Sequence, residues 1–110
     1  MKDNLAYIDH IQQCICKIQE YTKNLNQSDF STAELIQDAV IRNIEIIGEA
    51  TKKISSDFKA RYKEVPWKEM AGMRDKLIHD YFGVDVEVVW KTIQEDIPML
   101  KSLIEQIIPD

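Results

Sequence analysis

The sequence predicts an all-α fold, an antiparallel helical bundle of four main helices plus one short helix. Three observations carry this. Isoleucine, leucine and valine recur three and four residues apart over long stretches, the spacing that lines one face of a helix. Only three Gly and three Pro punctuate the 110 residues, too few for the many turns of a β fold. The composition, 45% hydrophobic and 30% charged, is that of an ordinary globular chain, and the length suits a single domain over residues 1–110.

The elements follow in order. Ile8, Ile11, Ile15 and Ile18 form the seam of a first helix over about residues 3–24, and the polar run at 26–29 breaks it. Ser31 is suited to an N-cap, Glu34 would complete a capping box, and Phe30 with Leu35 would form the hydrophobic staple. The second helix is expected from there to about residue 54, with Ile36, Ala39, Val40, Ile47, Ala50 and Ile54 on one side. Asn43 falls on that apolar side and should be hydrogen-bonded. Ser55 and Ser56 open a short helix or turn to about residue 62. Pro66 is pre-organised for a first helical position, so a helix is expected from there through residues 74–81, ending at Gly83. Asp85 caps a final helix with the seam Val89, Ile93, Ile97, Leu100, Ile104 and Ile107, which Pro98 should kink.

Charge and cysteine content narrow the function. A net charge of −5 argues against a chain that coats nucleic acid nonspecifically. Residues 52–76 nevertheless hold eight basic and four acidic side chains, a local +4 that leaves −9 for the remainder. That asymmetry fits a local phosphate-binding surface and equally a solvated lysine-rich segment. Cys14 and Cys16 lie two apart on a helix, pointing to nearly opposite sides, which disfavours a disulfide or a shared metal. They read as small buried or half-buried hydrophobes in a reducing cytoplasm. No apolar run is long enough to span a bilayer, and the opening MKDNLAYIDH is too polar for a secretory signal. His10 reads as a surface residue of the first helix.

The chemically informative stretch is residues 66–90, PWKEMAGMRDKLIHDYFGVDVEVVW. Within it stand Arg74, His79 five residues on, and Tyr81 two beyond that. With three Arg, two His and four Tyr in the chain, chance produces this spacing in roughly a few per thousand such sequences. The stretch resembles the Arg-x4-His-x-Tyr signature of HepT-type proteins of the HEPN superfamily. The Pro-Trp start, the Met-Arg step, the acidic-capped last helix with its internal Pro, and RNIEIIGEA at 42–50 resemble that family too.

The resemblance implies a metal-independent endoribonuclease that needs no cofactor and acts as the toxin of a type VII-like toxin–antitoxin pair. Arg74 and His79 would be catalytic, contributed at a homodimer interface, with RNA as substrate. It further implies that a minimal nucleotidyltransferase antitoxin of the MntA type transfers AMP to Tyr81 and silences the nuclease. The chemistry suits these side chains. Histidine titrates near neutrality and exchanges protons with the reacting oxygens. The arginine fork grips phosphate oxygens as charge builds. The alternative from the same superfamily is a noncatalytic, substrate-binding partner subunit of a nucleotidyltransferase.

On an ideal helical wheel, Met70, Met73, Leu77 and Ile78 form an apolar arc that includes Arg74 and Tyr81. His79 falls on the opposite side, with Asp75 one turn before it as a supporting carboxylate. An unpaired guanidinium on an apolar arc is costly. Either a second-helix carboxylate, Glu45 or Glu49, pairs with Arg74, or the arc faces a second subunit. Arg74 and His79 stand about 140° apart on such a wheel, so two motifs meeting across a dimer axis would supply convergence.

Overall fold

Helix α1 (Lys2–Thr22) presents Ile8, Ile11, Ile15 and Ile18 at 0% exposure, and their seam packs against α3 (Glu34–Lys53). The structure, a computed structural model, describes residues 2–77 and 85–107. Asn4 ties the start of α1 to the end of α3. Its Nδ2 donates to Ser55 Oγ at 3.0 Å and its Oδ1 accepts from the Ser55 N–H at 3.0 Å. The two helices are therefore antiparallel. The expected partner for Asn43 is its own helix: Nδ2 donates to Ala39 O at 2.8 Å.

The start of α3 differs from the sequence expectation. A separate short helix, α2 (Gln27–Thr32), absorbs Ser31, whose hydroxyl donates to Ser28 O. The capping box belongs to α2 and is made by Asn26 and Asp29. Helix α3 begins after Ala33 without a side-chain cap, and Leu35, 86% exposed, staples nothing. The physical reason is Phe30. Burying that ring against Trp90, 5.3 Å between centroids, fixes the residues just before α3 as a packed turn of helix.

Ser55 caps α4 (Ser56–Arg61), and an aromatic cluster then sets the bend into α5 (Trp67–Ala71). Phe58 packs at a tilt against Tyr62, 4.9 Å between centroids, and meets Trp67 edge-on at 6.4 Å, while Trp67 Nε1 donates to Lys59 O and Tyr62 O at 3.1 Å. Pro66 occupies the cap itself, one residue before the expected position.

Beyond this point the single helix expected from Pro66 is broken. Gly72 separates α5 from α6 (Met73–Leu77). Its N–H is shared between Lys68 O and Glu69 O, and its carbonyl starts the next turn by accepting from Asp75 and Lys76. Glycine is about 1 kcal/mol worse than alanine inside a helix, so the chain re-aims there at little cost. The expected continuation through residues 78–84, including the stop at Gly83, lies outside the described residues.

Asp85 caps α7 (Val86–Lys91), its carboxylate accepting from the Glu87 and Val88 N–H groups. The Pro98 disruption takes the form of a π-helical turn over Thr92–Asp96, in which Ile97 N–H reaches back to Thr92 O, before α8 (Ile97–Ile107) resumes. Widening the turn accommodates a residue that brings no N–H donor of its own. All six expected seam residues of this last segment are buried. Ile107 meets Asn4, Leu5 and Phe58 around one cleft, so α8 runs antiparallel to α1. Each fully buried aliphatic side chain contributes on the order of 1.5–3 kcal/mol. Among the described residues every regular element is helical, and no helix there is long and apolar enough to cross a membrane.

Candidate active site

Helix α6 is held from inside and from both flanks. Met73 and Leu77 point into the core at 6% and 0% exposure. On one flank Arg74 Nε donates to Glu45 Oε2 of α3 at 2.7 Å. On the other, Lys76 Nζ donates to Asp96 Oδ2 of the π-helical turn at 3.2 Å. Of the two carboxylates the sequence offered, Glu45 pairs with Arg74, whereas Glu49 is engaged by Lys52 at 3.4 Å. A partner for the guanidinium is thus found within the chain.

The pairing leaves much of the Arg74 head group open. Its side chain is 52% exposed and Glu45 binds the Nε edge. Asp75 Oδ1 lies 3.8 Å from Nη1, beyond hydrogen-bonding range, on a side chain that is 84% exposed. The terminal nitrogens therefore remain able to hold an anion. Glu45 also approaches a second cation, Arg42 Nη1, at 3.8 Å.

A close helix approach sets this geometry. A Cβ built on Gly48 would stand 3.2 Å from Ala71 O and 3.5 Å from Met70 O, so the missing side chain lets the end of α5 lie on α3. Gly48 is nearly one turn after Glu45, and Arg74 follows Ala71 by three residues. The contact consequently fixes the height at which Arg74 meets α3.

His79 and Tyr81, with Ile78 of the expected apolar arc, lie outside the described residues. The flanks of that segment are tied together, because Asp85 N–H donates to Leu77 O at 3.1 Å. Among the described residues no three His, Cys, Asp or Glu side chains form a metal-binding group.

Residues 11–107 match the family model described as Ribonuclease HepT-like. The chain belongs to the HepT-like ribonuclease family. A Thermococcus cleftensis protein named "Probable ribonuclease HepT" is 54% identical over 101 residues, 92% of each chain. A solved structure of a tri-AMPylated Shewanella oneidensis HEPN toxin in complex with MNT antitoxin superposes with a TM-score of 0.67. The match covers 97% of both chains at 21% identity, which establishes a shared fold.

The RNIEIIGEA segment of this HepT-like chain offers Arg74 a carboxylate, Glu45 or Glu49, but its sequence does not reveal the parts played by Arg42 and Gly48. The structure shows that it carries Arg42, Glu45 and Gly48, the cation, carboxylate and gap that position Arg74. A lone glycine inside an otherwise regular amphipathic helix was the available signal.

Proposed function

We propose that this chain is a metal-independent endoribonuclease, the toxin of a toxin–antitoxin pair, with Arg74 and His79 as its catalytic residues. The observation that carries the reading is the Arg74 head group, gripped on its Nε edge by Glu45 and open at its terminal nitrogens, in a chain matching the HepT-like ribonuclease model. Such a guanidinium is oriented before the substrate arrives and offers its fork to a phosphate.

The RNA supplies the nucleophile. The 2′-hydroxyl gives its proton to an imidazole and attacks the adjacent phosphorus. The bond from phosphorus to the 5′-oxygen breaks, and that oxygen takes up a proton. The products are a 2′,3′-cyclic phosphate and a free 5′-hydroxyl, with no water or metal consumed. His79 moves these protons, Arg74 holds the pentacovalent phosphate, and Asp75 supports the imidazole. Two copies of the chain supply convergent motifs across a homodimer.

Regulation falls on Tyr81. Its phenolic oxygen attacks the α-phosphorus of ATP on a partner nucleotidyltransferase, pyrophosphate leaves, and the phenol proton passes to solvent. The added anion repels RNA phosphate beside His79. The solved HEPN toxin of the same fold is itself AMPylated and in complex with an MNT antitoxin.

Cleavage of a labelled RNA tests the reading. Arg74→Ala and His79→Ala should each abolish cutting, and EDTA should leave it unchanged. The half-exposed Arg74–Glu45 pair is worth about 0–1 kcal/mol, so Arg74→Ala should keep the fold and most of Tm. Cleavage stopped by EDTA, or a His79→Ala protein that cuts normally, would refute the mechanism.

A further inference from the structure

We propose that the cleft between α1 and α3 is a groove for single-stranded RNA that leads away from Arg74. The inference rests on the ribonuclease reading and extends it to how substrate is held.

Tyr7 and His10 of α1, with Arg42, Ile46, Glu49 and Lys53 of α3, line a cleft of about 220 Å³. Its charged side chains favour a polyanion. Arg42 is 72% exposed, and Lys53 is exposed with no ion pair among the described residues. Glu49, the acid in the lining, is engaged by Lys52 at 3.4 Å. Tyr7 is half-buried and packed against the core, a rigid aromatic surface on which a base can stack. This pairing of cations with an aromatic platform is how sequence-tolerant single-strand grooves work. It stands out on a chain whose net charge is −5.

Arg42, in the lining of the cleft, shares a carboxylate with the proposed catalytic arginine. One carboxylate, Glu45, is approached by Arg74 at 2.7 Å and by Arg42 at 3.8 Å. A strand whose phosphate rests on Arg74 therefore meets Arg42 next. From Arg42 to Lys53 the helix rises roughly 16 Å, the length of a few nucleotides. The cleft beside α5, α6 and α8, about 350 Å³, does not compete. There Glu69 and Asp96 balance Lys68 and Lys76, and Lys76 is already paired at 3.2 Å.

Fluorescence anisotropy with a single-stranded RNA oligonucleotide tests this, using the full chain with His79→Ala so that the probe is not cut. Arg42→Gln and Lys53→Gln should each weaken binding several-fold and lower the salt dependence by about one ion. Tyr7→Leu, which keeps apolar packing, should weaken it about tenfold. Lys68→Gln, in the competing cleft, should bind as the parent does. With His79 restored, Lys53→Gln and Tyr7→Leu should raise KM for RNA and leave kcat within about twofold. If the intact protein cuts RNA while the cleft variants bind like the parent, or Lys68→Gln weakens binding as much as they do, the groove is refuted and the ribonuclease reading stands. If the intact protein neither binds nor cuts RNA, both fall.

Discussion

Arg74 owes its orientation to a single carboxylate. Glu45 engages the Nε edge at 2.7 Å and so turns the terminal nitrogens outward. Glu45→Gln keeps the shape and removes the charge. It should lower kcat for RNA about tenfold with a smaller change in KM, and leave the pH profile unmoved, because a positioning group does not itself exchange the proton. Arg74→Lys should fail to restore activity, since an ammonium has no fork to be oriented. The cysteines divide by environment. Cys14 is 2% exposed and Cys16 is exposed, so the expectation that both are at least half-buried holds for Cys14 alone. Burial pushes the Cys14 thiol above its ordinary pKa, against a smaller opposing pull from Lys17. Below the unfolded thiol pKa of about 8.5 this has no effect on stability, and as pH rises further the unfolded chain ionises first and stability is lost. Urea midpoints should fall above that pH in the wild type and less steeply in Cys14→Ala. Iodoacetamide at pH 8 should label Cys16 and spare Cys14.

Helix α3 meets the end of α5 through a gap the width of one side chain. Gly48 leaves 3.2 Å between a virtual Cβ and Ala71 O, a backbone atom with little freedom to yield. Alanine there would gain helix propensity and lose packing, nearly cancelling. Valine adds bulk without any place to put it. Gly48→Val should cost about 2 kcal/mol, or roughly 10 °C in Tm, and should also lower RNA cleavage by shifting Arg74 along α3. A Gly48→Val protein with unchanged Tm would show that the α3–α5 approach is looser than the geometry implies. Helix α6 (Met73–Leu77) draws its stability from tertiary packing more than from its own propensity. Its neighbours hold it, through Met73 and Leu77 inside and the Glu45 and Asp96 carboxylates at its flanks.

The assembly determines whether the proposed active site is complete. Two motifs joined across a symmetric interface would bring a second arginine and histidine to one phosphate, so the protein should sediment as a dimer at micromolar concentration. A monomer that still cuts RNA would remove the need for convergence. Co-expression with a minimal nucleotidyltransferase antitoxin of the proposed kind should add AMP mass to the wild type and none to Tyr81→Phe, which should stay active and escape silencing. Full inhibition with unmodified Tyr81 would point to steric masking by the partner.

Much of this molecule was legible before folding, because hydrophobic periodicity is local information. The seams of α1, α3 and α8 are written as three- and four-residue spacings, and every residue assigned to the first and last of them is buried. The Arg-x4-His-x-Tyr spacing led to the family in the same way. What the spacings left open depends on how elements sit against one another. A capping signature at Ser31 and Glu34 lost to Asn26 and Asp29, because burying Phe30 made the preceding residues a helix of their own. The helix from Pro66 broke at Gly72, where the chain turns to lay Leu77 in the core. Glu45 and Glu49 stand one turn apart on the same side of α3, equivalent to any periodicity argument. Only the height at which α5 rests on Gly48 gave Arg74 to Glu45 and left Glu49 to Lys52.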